Sequence, residues 1–343
     1  MLAEHWSDSG YRVAVVTQAP VSDDFFTLSD RATRVVAGGV GSVGGVIGRV
    51  PRNIWRLLLL RRALKRADAP LVFVFVGRTI IQTLLANTGL PYKIVACERN
   101  DPSTQSLGRQ WDLLRRIIYP RAALVTANSR SAVEYMTAFV PRSRLRLVRN
   151  PVSLAEACDE AERERAFVVS GRLVSQKGHD TILRAFAQIT SQVENWRIWI
   201  LGRGELEKPL RALCRELGIE GRVDWFGLVP DPETYYARAS VFICASLYEG
   251  MPNAMLEAMS ARLPVILSDS CSGALELVEH GRTGLVFRQG CVASLAGAML
   301  ALATDSDQRR GLGDAGRTAV EAFSPERVFA AWDEIGEEVL RDS

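Results

Sequence analysis

The sequence predicts an α/β protein built from two doubly wound domains, each a parallel sheet covered by helices. The chain has 343 residues, of which 48% are hydrophobic and 24% charged, and this is enough for two buried cores. Short β-rich apolar runs alternate with amphipathic helical patterns twice along the chain, as is typical of parallel sheets with helical crossovers. The two series are separated by residues 149–164, a charged stretch without strand signals that opens on an Asn-Pro turn.

The predicted strands are twelve short apolar runs, six in each half of the chain. In the first half they are residues 11–17, 33–36, 71–76, 93–97, 123–127 and 145–148. In the second half they are residues 166–170, 197–201, 222–226, 241–245, 264–268 and 284–287. We expect a first domain over residues 1–150, a second domain over 151–323, and a C-terminal helix over 324–343 that packs back toward the first domain. Because ligands of such sheets bind at the carboxyl ends of strands, the interdomain cleft is the expected site.

Composition argues against several other classes of protein. No apolar run reaches the roughly 18 residues that a membrane-spanning helix needs. The six cysteines stand singly, with no C-x-x-C pair and no secretory signal, which favours reduced thiols in the cytoplasm. The three histidines lie far apart in the sequence, so we expect no metal site.

The positive charge of the chain is concentrated in its first half. Residues 1–150 hold 22 Lys and Arg against 10 Asp and Glu, a net charge of +12, whereas residues 151–343 have a net charge of −9. Most of the excess lies in residues 48–66 and 108–121, where arginines alternate with Trp and aliphatic side chains. This pattern favours an anionic membrane surface as a partner, and the alternative is a solvated helix that packs on the sheet by its leucines. No recognised nucleic-acid-binding motif accompanies the charge, so nucleic acid is not an expected partner.

Two short patterns resemble known sites but are better explained by local structure. The run GVGSVG at residues 39–44 matches a dinucleotide-binding fingerprint, but no helix opens directly on the glycines and no acidic residue follows a second strand about 20 residues later. We interpret it as a surface loop. The run DSD at residues 305–307 resembles a metal-binding acidic motif of some sugar transferases, but it precedes a helical pattern, so we expect a helix cap.

The stretch SLYEGMPNAMLEAM, residues 246–259, predicts a ligand site where a strand gives way to a helix. Glu249 lies in the predicted turn, Pro252 suits the first helical position, and Glu257 lies about one and a half turns into the helix. Gly250 lets the backbone approach a ligand closely.

The amide groups at the start of the same predicted helix should point at that ligand. They belong to Asn253, Ala254 and Met255, and the helix N-terminus gives them a partial positive charge suited to phosphate or sugar oxygens. Two acids beside an anion-binding helix end fit a ligand that is anionic in its middle and rich in hydroxyl groups at both ends. A nucleotide sugar has this character.

Three further loops of the second half follow strands in the same way. The run VVSGRLVSQKGHDTIL, residues 168–183, places Arg172 and Lys177 after a strand and beside Gly171, where two cations would neutralise a diphosphate leaving group; the alternative is two exposed surface cations. The run ILGRGELEKPL, residues 200–210, repeats the arrangement of strand, glycine turn and helix. In VDWFGLV, residues 223–229, a strand ends beside a glycine where a nucleotide base would lie against the backbone.

These motifs together resemble a known family. GRLVSQKG, LGRGE, VDWFGLV, SLYEGMPNAMLEAM, LPVILSD and GALELVEHGRTGLVF are similar, in order, to the nucleotide-binding half of family four glycosyltransferases, the retaining, metal-independent class with the GT-B fold. The resemblance covers nearly all of residues 165–290. The first half resembles the family more loosely, through GYRVAVVT, VACERNDP, VTANSRSAVEYM and VRNPV.

The resemblance implies roles for individual residues. Arg172 and Lys177 would bind the donor diphosphate, Glu249 the transferred sugar, and Glu257 the ribose hydroxyls. The other substrate-binding candidates belong to the same motifs: Gly171, Gly202, Gly204, Phe226, Leu228, Gly250, Met251, Asn253, Ala254 and Met255. No cofactor or metal is implied.

The chain departs from the family in two places. Many members carry a histidine in the first domain near the acceptor, where this chain has CERNDP, so Glu98, Arg99 and Asn100 become acceptor-side candidates. Members also open with a strand and a glycine-rich loop, whereas this chain opens with MLAEHWSDSGYRVAVVT, which resembles the end of the first helix and the second strand. We therefore expect that first strand and loop to be missing, and the chain to be a fragment or a weakened or inactive enzyme.

The expected function is a hexosyltransferase. It would move a hexose from a nucleotide diphosphate sugar, with UDP the expected nucleotide, to a saccharide hydroxyl on a lipid-linked carrier in cell-surface polysaccharide or glycan biosynthesis, with retention. We expect the protein in the cytoplasm, peripheral at the cytoplasmic face of the membrane. The alternative is a catalytically silent protein that binds sugar nucleotides, or an inactive fragment.

Overall fold

The computed structural model describes residues 1–20, 28–38, 49–155 and 162–341. All twelve predicted strands are present. They are β1 (Ala14–Thr17), β2 (Thr33–Val36), β3 (Leu71–Phe75), β4 (Lys93–Glu98), β5 (Leu124–Ala127), β6 (Leu145–Leu147), β7 (Ala166–Ser170), β8 (Arg197–Leu201), β9 (Val223–Gly227), β10 (Val241–Cys244), β11 (Val265–Ser268) and β12 (Leu285–Phe287). The helices are α1 (Leu2–Asp8), α2 (Arg49–Ala67), α3 (Gly77–Ala86), α4 (Arg109–Ile118), α5 (Arg130–Met136), α6 (His179–Ile189), α7 (Glu207–Glu216), α8 (Glu233–Arg238), α9 (Asn253–Ser260), α10 (Val292–Thr304), α11 (Ser306–Val320) and α12 (Pro325–Arg341).

The second domain contains one six-stranded parallel sheet. Its strand order is β12-β11-β10-β7-β8-β9, and every neighbouring pair is parallel. The chain runs outward from β7 through β8 and β9, then returns to the other side of β7 for β10, β11 and β12. The order therefore reverses between β7 and β10, and a crevice opens at the carboxyl ends of strands at such a reversal.

The sheet of the second domain is apolar on both faces, as the sequence pattern predicts. One face packs Phe167 and Ile198 against Leu183 and Phe186 of α6. The opposite face packs a second set of buried side chains, including Phe242, against helices that follow β9 and β10. Full burial of such a side chain contributes about 1.5–3 kcal/mol, so these two layers hold the strand ends in fixed positions.

The first domain has two separate parallel sheets. Strands β3, β4, β5 and β6 form a four-stranded sheet in that order, and among the described residues β1 pairs only with β2. Helix α2 spans the two sheets: Leu60, Ala63 and Leu64 are buried in a cluster that includes Val16 of β1 and Val72 of β3. Its far side is exposed. Among the described residues, no helix is both long enough and apolar enough to cross a membrane.

The last helix returns from the second domain to the first. Side chains of α12, including Trp332 and Ile335, pack with Val95 and Val148 of the first domain. The edge of the Trp332 ring meets Phe73 at a centroid distance of 5.5 Å. Helix α12 therefore completes the core of the first domain.

Two local predictions can be compared directly with the structure. Asp305 caps α11, since its side chain accepts a hydrogen bond from the Gln308 amide at 2.8 Å, which confirms the helix-cap interpretation. Pro252 was predicted as the first residue of a helix, but its ψ of 120° is extended. It is therefore the N-cap residue of α9, and the helix begins one residue later, at Asn253. The glycine-rich run at residues 39–44 lies outside the described residues, and its interpretation as a surface loop stays a prediction.

Candidate active site

The candidate site is a cavity of about 310 Å³ at the point where the strand order of the second domain reverses. Its walls are the backbone at the ends of β7 and β10, the side chains of Lys177 and Glu249, and the first residues of α9. Arg99 and Asn150 line it from the side of the first domain. The cavity therefore lies between the two domains, where the sequence predicts the site.

Lys177 and Glu249 form an ion pair inside the cavity. Lys177 Nζ lies 2.5 Å from Glu249 Oε1, and the two side chains are only 20% and 12% exposed. Gln176 stabilises the arrangement, since its Nε2 donates to Tyr248 O at 3.0 Å and to Glu249 Oε1 at 3.3 Å. The pair brings together a cation suited to phosphate and a carboxylate suited to hydroxyl groups.

The N-terminus of α9 forms a wall of the same cavity. The amides of Met255 and Leu256 donate to Pro252 O, at 3.2 and 3.3 Å. Those of Asn253 and Ala254 have no acceptor within the part of the chain that the structure describes, and both residues line the cavity. Two amides rather than the expected three are therefore free for an anionic oxygen, because the turn at Pro252 uses the amide of Met255.

Glu257 lies deeper along α9 and is half-buried, outside the cavity lining. The pKa of its carboxyl is raised, chiefly by burial and then by repulsion from Glu233, while the Tyr236 hydroxyl acts in the opposite direction. Tyr236 itself is fully buried, and burial raises the pKa of its hydroxyl. Within the described residues, no group makes a hydrogen bond of normal geometry with that hydroxyl.

Glycines allow the strand-end loops of the second domain to pack backbone against backbone. A Cβ atom on Gly202 would lie 1.9 Å from the carbonyl oxygen of Gly171, and one on Gly204 would lie 2.4 Å from that of Leu173. These glycines therefore have a packing reason to be glycine, whether or not they contact a ligand. Gly171 also lines the cavity.

The other predicted residues of the second domain divide into those that line the cavity and those that do not. Arg172 is exposed and does not line it, whereas Met251 is buried and does. Phe226 lies near the end of β9 and Leu228 follows that strand, and their side chains are 39% and 46% exposed. The ring centroids of Phe226 and Tyr235 lie 4.7 Å apart. Together with the exposure of Phe226 and Leu228, this contact forms an accessible apolar surface at this end of the sheet. Met255, unlike Met251, does not line the cavity, and its side chain is buried in the apolar cluster beneath α9.

The acceptor-side candidates of the first domain have three different environments. Glu98 faces the core: its Oε2 accepts from the Tyr119 hydroxyl at 2.8 Å and lies 3.9 Å from Arg115 Nη2. Burial raises the pKa of Glu98, and the charge of Arg115 acts against the shift. The carboxyl is therefore not open to the cleft. The backbone of Asn100 packs close to Gly250, since a Cβ atom on that glycine would lie 3.3 Å from the Asn100 carbonyl carbon, while Arg99 lines the cavity.

A polar interface that the sequence did not predict joins the domains below the cavity. The carboxylate of Asp101 accepts from the hydroxyl groups of Ser131, at 2.8 Å, and of Ser272 in the second domain. Arg149 Nη2 lies 2.5 Å from Glu276 Oε2. Burial acts to raise the pKa of Asp101, but the serine hydrogen bonds outweigh it and the pKa is lowered.

Asn150 is a further site residue that sequence reasoning missed. Its Oδ1 accepts from Arg99 Nη1 at 3.1 Å, and its Nδ2 donates to Met251 O at 3.2 Å and to Asn253 Oδ1 at 2.6 Å. The sequence signals were an Asn-Pro dipeptide, which indicates a turn and was used as a domain boundary, and the loose family resemblance of VRNPV, and neither assigned Asn150 to the site. The side chain in fact links the first domain to the start of α9.

Comparison with known proteins covers both halves of the chain. The family described as Glycosyltransferase Family 4 matches residues 1–156, and the family described as Glycosyl transferases group 1 matches residues 155–319. A relative from Campylobacter jejuni, the GalNAc-α-(1→4)-GalNAc-α-(1→3)-diNAcBac-PP-undecaprenol α-1,4-N-acetyl-D-galactosaminyltransferase, is 25% identical over 295 residues, which are 85% of this chain and 81% of the relative.

Solved structures show the same fold. Sucrose-phosphate synthase of Thermosynechococcus elongatus is 20% identical and has a TM-score of 0.81 over 100% of this chain and 92% of the synthase. HepE of Anabaena, in complex with UDP and glucose, is 19% identical and has a TM-score of 0.77 over 90% of this chain and 86% of HepE.

Proposed function

The chain belongs to the GT-B glycosyltransferases of the two matching families, and on this premise we propose that it transfers a hexose from a nucleotide diphosphate sugar to a saccharide hydroxyl. The observation that carries the proposal is the cavity in which Lys177, Glu249 and the free amides of α9 face one space. A diphosphate needs positive charge and amide donors, and a sugar needs an acceptor for its hydroxyl groups. Both requirements are met within one site.

Each group of the cavity has a proposed role in the reaction. Lys177, with Arg172 on the same loop, stabilises the negative charge that develops on the departing diphosphate, and the α9 amides bind its oxygens. Glu249 accepts hydrogen bonds from the transferred hexose, and Glu257 from the ribose. Because side chains and amides supply the positive charge, we propose that the transfer needs no metal ion. Retention of configuration is part of the proposal and has the family resemblance as its support.

The proposed donor carries UDP, and the proposed acceptor is a saccharide on a lipid carrier. HepE, which shares the fold, was solved with UDP and glucose, and the Campylobacter relative is named for an undecaprenol-linked acceptor. The basic first domain supports a membrane location: α2 exposes Ile54, Trp55 and Leu58, and α4 exposes Leu113 and Ile117. We propose that these helices hold the protein at the cytoplasmic face of the membrane.

A nucleotide panel tests the donor. The melting temperature of the chain is measured with UDP, GDP and ADP, and then with the matching hexose conjugates. We expect UDP and a UDP-hexose to raise it, and the Lys177→Ala variant to lose most of the rise. Absence of stabilisation by any nucleoside diphosphate would contradict the proposal. Binding without release of UDP in the presence of lipid-linked saccharides would instead favour the catalytically silent sugar-nucleotide-binding protein.

Vesicle sedimentation tests the membrane location. The chain should bind anionic vesicles at low salt and be released in part as salt rises, since the Debye length falls from about 30 Å at 0.01 M to about 10 Å at 0.1 M. Charge reversal of Arg56, Arg62 and Arg66 to Glu should remove the salt-sensitive part without changing nucleotide affinity. If the unaltered chain does not bind anionic vesicles at the lowest salt, the arginines form only a solvated helix face.

A further inference from the structure

We infer that Arg99, a residue of the first domain, binds the donor diphosphate from the side of the cavity opposite the second domain. The inference rests on the proposed function and adds a cation to it. Sequence reasoning placed Arg99 on the acceptor side of the cleft, whereas the structure places it in the wall of the same cavity as Lys177 and the free amides of α9. The leaving group would then be held by both domains.

In the part of the chain that the structure describes, no carboxylate is bonded to the guanidinium of Arg99. Within the described residues, its guanidinium donates only to Val148 O and Asn150 Oδ1. The carboxyl of Glu98, next in sequence, accepts from Tyr119 and from the backbone amide of Arg99, so it acts on the guanidinium only through space. Burial lowers the pKa of Arg99, which shows that the surroundings disfavour its charge. A half-buried cation without a bonded anion is disfavoured, and an anionic ligand would offset that cost.

Lys177 differs from Arg99 in this respect. Its ammonium group already has an internal counterion, Glu249, at 2.5 Å. A diphosphate must compete with that carboxylate for Lys177, but it meets no such competitor at Arg99. Arg99 is therefore the cation of the cavity whose charge is least compensated by the protein itself.

The guanidinium of Arg99 is also held in position before any ligand binds. Nη1 donates at 2.9 Å to Val148 O and at 3.1 Å to Asn150 Oδ1. The guanidinium carbon lies 4.8 Å from the centroid of the Trp332 ring and 5.6 Å from that of Phe75. Nε and Nη2 have no acceptor among the described residues. A guanidinium in a fixed orientation with unused donors suits two phosphate oxygens at once.

Asn150 is the positioning residue of this arrangement. It accepts from Arg99 and donates to Met251 O and to the Asn253 side chain at the start of α9. The guanidinium and the free amides of α9 are thus fixed relative to each other through one side chain. This relation favours the diphosphate, which the amides bind, over a carboxylate on the transferred sugar as the anion that Arg99 binds.

The test compares affinities by calorimetry for UDP and UMP. The variants are Arg99→Met and Arg99→Lys, and the matched control is Arg78→Met, which removes another arginine of the first domain that lies over an aromatic ring, that of Trp111 at 5.6 Å, but does not line the cavity. We expect Arg99→Met to lower the affinity for UDP by about tenfold to one hundredfold, the range of a hydrogen bond to a charged group, and to lower the affinity for UMP less. Arg99→Lys should keep part of the affinity, and Arg78→Met all of it.

Three results would overturn the inference. If Arg99→Met and Arg99→Lys both melt cooperatively and bind UDP as tightly as the unaltered chain, while Lys177→Ala binds it weakly, Arg99 does not contact the diphosphate and the proposed function stands. If Arg99→Met leaves UDP unchanged but selectively weakens a UDP-hexuronic acid, the anion is a sugar carboxylate. If the unaltered chain binds no nucleoside diphosphate, the proposed function fails and the inference fails with it.

Discussion

Glu249 and Glu98 are both carboxylates at the carboxyl end of a parallel strand, one in each domain, yet their surroundings are opposite. Glu249 follows β10, lines the cavity and pairs with Lys177. Glu98 ends β4, points into the core and accepts a hydrogen bond from Tyr119. A strand end brings a side chain to the edge of the sheet, but the groups that face it decide whether it meets a ligand or the protein interior.

The same contrast extends to the two domains. Strand-end loops of the second domain pack through glycines, which leaves Lys177 and Glu249 free to line a cavity. Polar strand-end residues of the first domain, such as Asp101, are used in hydrogen bonds within the protein and across the domain interface. The second domain therefore presents Lys177 and Glu249 to the cavity, and the first domain presents Arg99 and Asn150.

Of the substitutions considered, removal of the Lys177 side chain should lower turnover most. Lys177→Ala should lower turnover by about two to three orders of magnitude, the range seen when a fixed electrostatic group is removed from a transition state. Arg172→Ala is expected to lower it by a similar factor, although the loop holds Arg172 exposed in the structure. Steady-state kinetics measure both, with Lys208→Ala on the exposed face of α7 as the control. If the folded double variant Arg172→Ala, Lys177→Ala kept its turnover, the charged side chains of the second domain would have no special part in the reaction, and the contrast with the first domain would fail.

Two glycines test the packing difference through stability. Gly202 has a positive φ of 148°, and Gly202→Ala places a Cβ 1.9 Å from a backbone oxygen, so we expect a loss of about 3 kcal/mol in the free energy of unfolding. Gly89 of the first domain also has a positive φ, 73°, but a Cβ there meets no atom within 4 Å, so Gly89→Ala should cost only about 1–2 kcal/mol. Chemical denaturation measures both. Equal losses would show that backbone conformation, and not close packing, requires the glycine at position 202.

The sequence predicted the fold better than it predicted the first-domain side of the site. All twelve strands are present because each is a short, β-rich apolar run, a property that is local and visible in the sequence, although β1, β2, β6 and β9 are only partly buried. The motif that contains Glu249 was equally informative, since a strand, a turn and a helix follow one another within it.

The missed contacts join residues that are distant in the chain. The link from Asn150 to Asn253 spans 103 positions, and that from Ser272 to Asp101 spans 171. No short pattern records such pairs. The same holds for Glu98, which was grouped with Arg99 by sequence although their side chains lie on opposite sides of a strand, one toward the core and one toward the cavity.

Two buried titratable groups should respond to acid in opposite directions. His179 of α6 is 3% exposed, and burial, with a smaller effect of Lys177, lowers its pKa from 6.5 to about 4. Because folding favours the neutral ring, its contribution to stability is complete above pH 6.5 and is lost as the pH falls toward 4, about 3 kcal/mol in all. The unaltered chain should therefore lose more stability than His179→Leu over this range, as measured by urea unfolding.

Glu98 should show the reverse. Its raised pKa means that folding disfavours the charged carboxyl, so the penalty is present above the folded pKa and is relieved as the pH falls through it. Glu98→Gln should remove this dependence, and the unaltered chain should gain stability relative to that variant on acidification. Identical pH profiles for the unaltered chain and both variants would show that neither group is perturbed by its burial.

The central claim is that the two acids of the second domain hold opposite ends of a nucleotide sugar, and calorimetry with UDP tests it most directly. UDP contains the ribose but not the hexose. Glu257→Ala should therefore lower the affinity for UDP. Glu249→Ala should leave the affinity for UDP unchanged or increase it, because Lys177 loses the carboxylate that competes with phosphate. Sugar transfer should fall in both variants. Equal losses of UDP affinity in the two variants would contradict the division of roles on which the account depends.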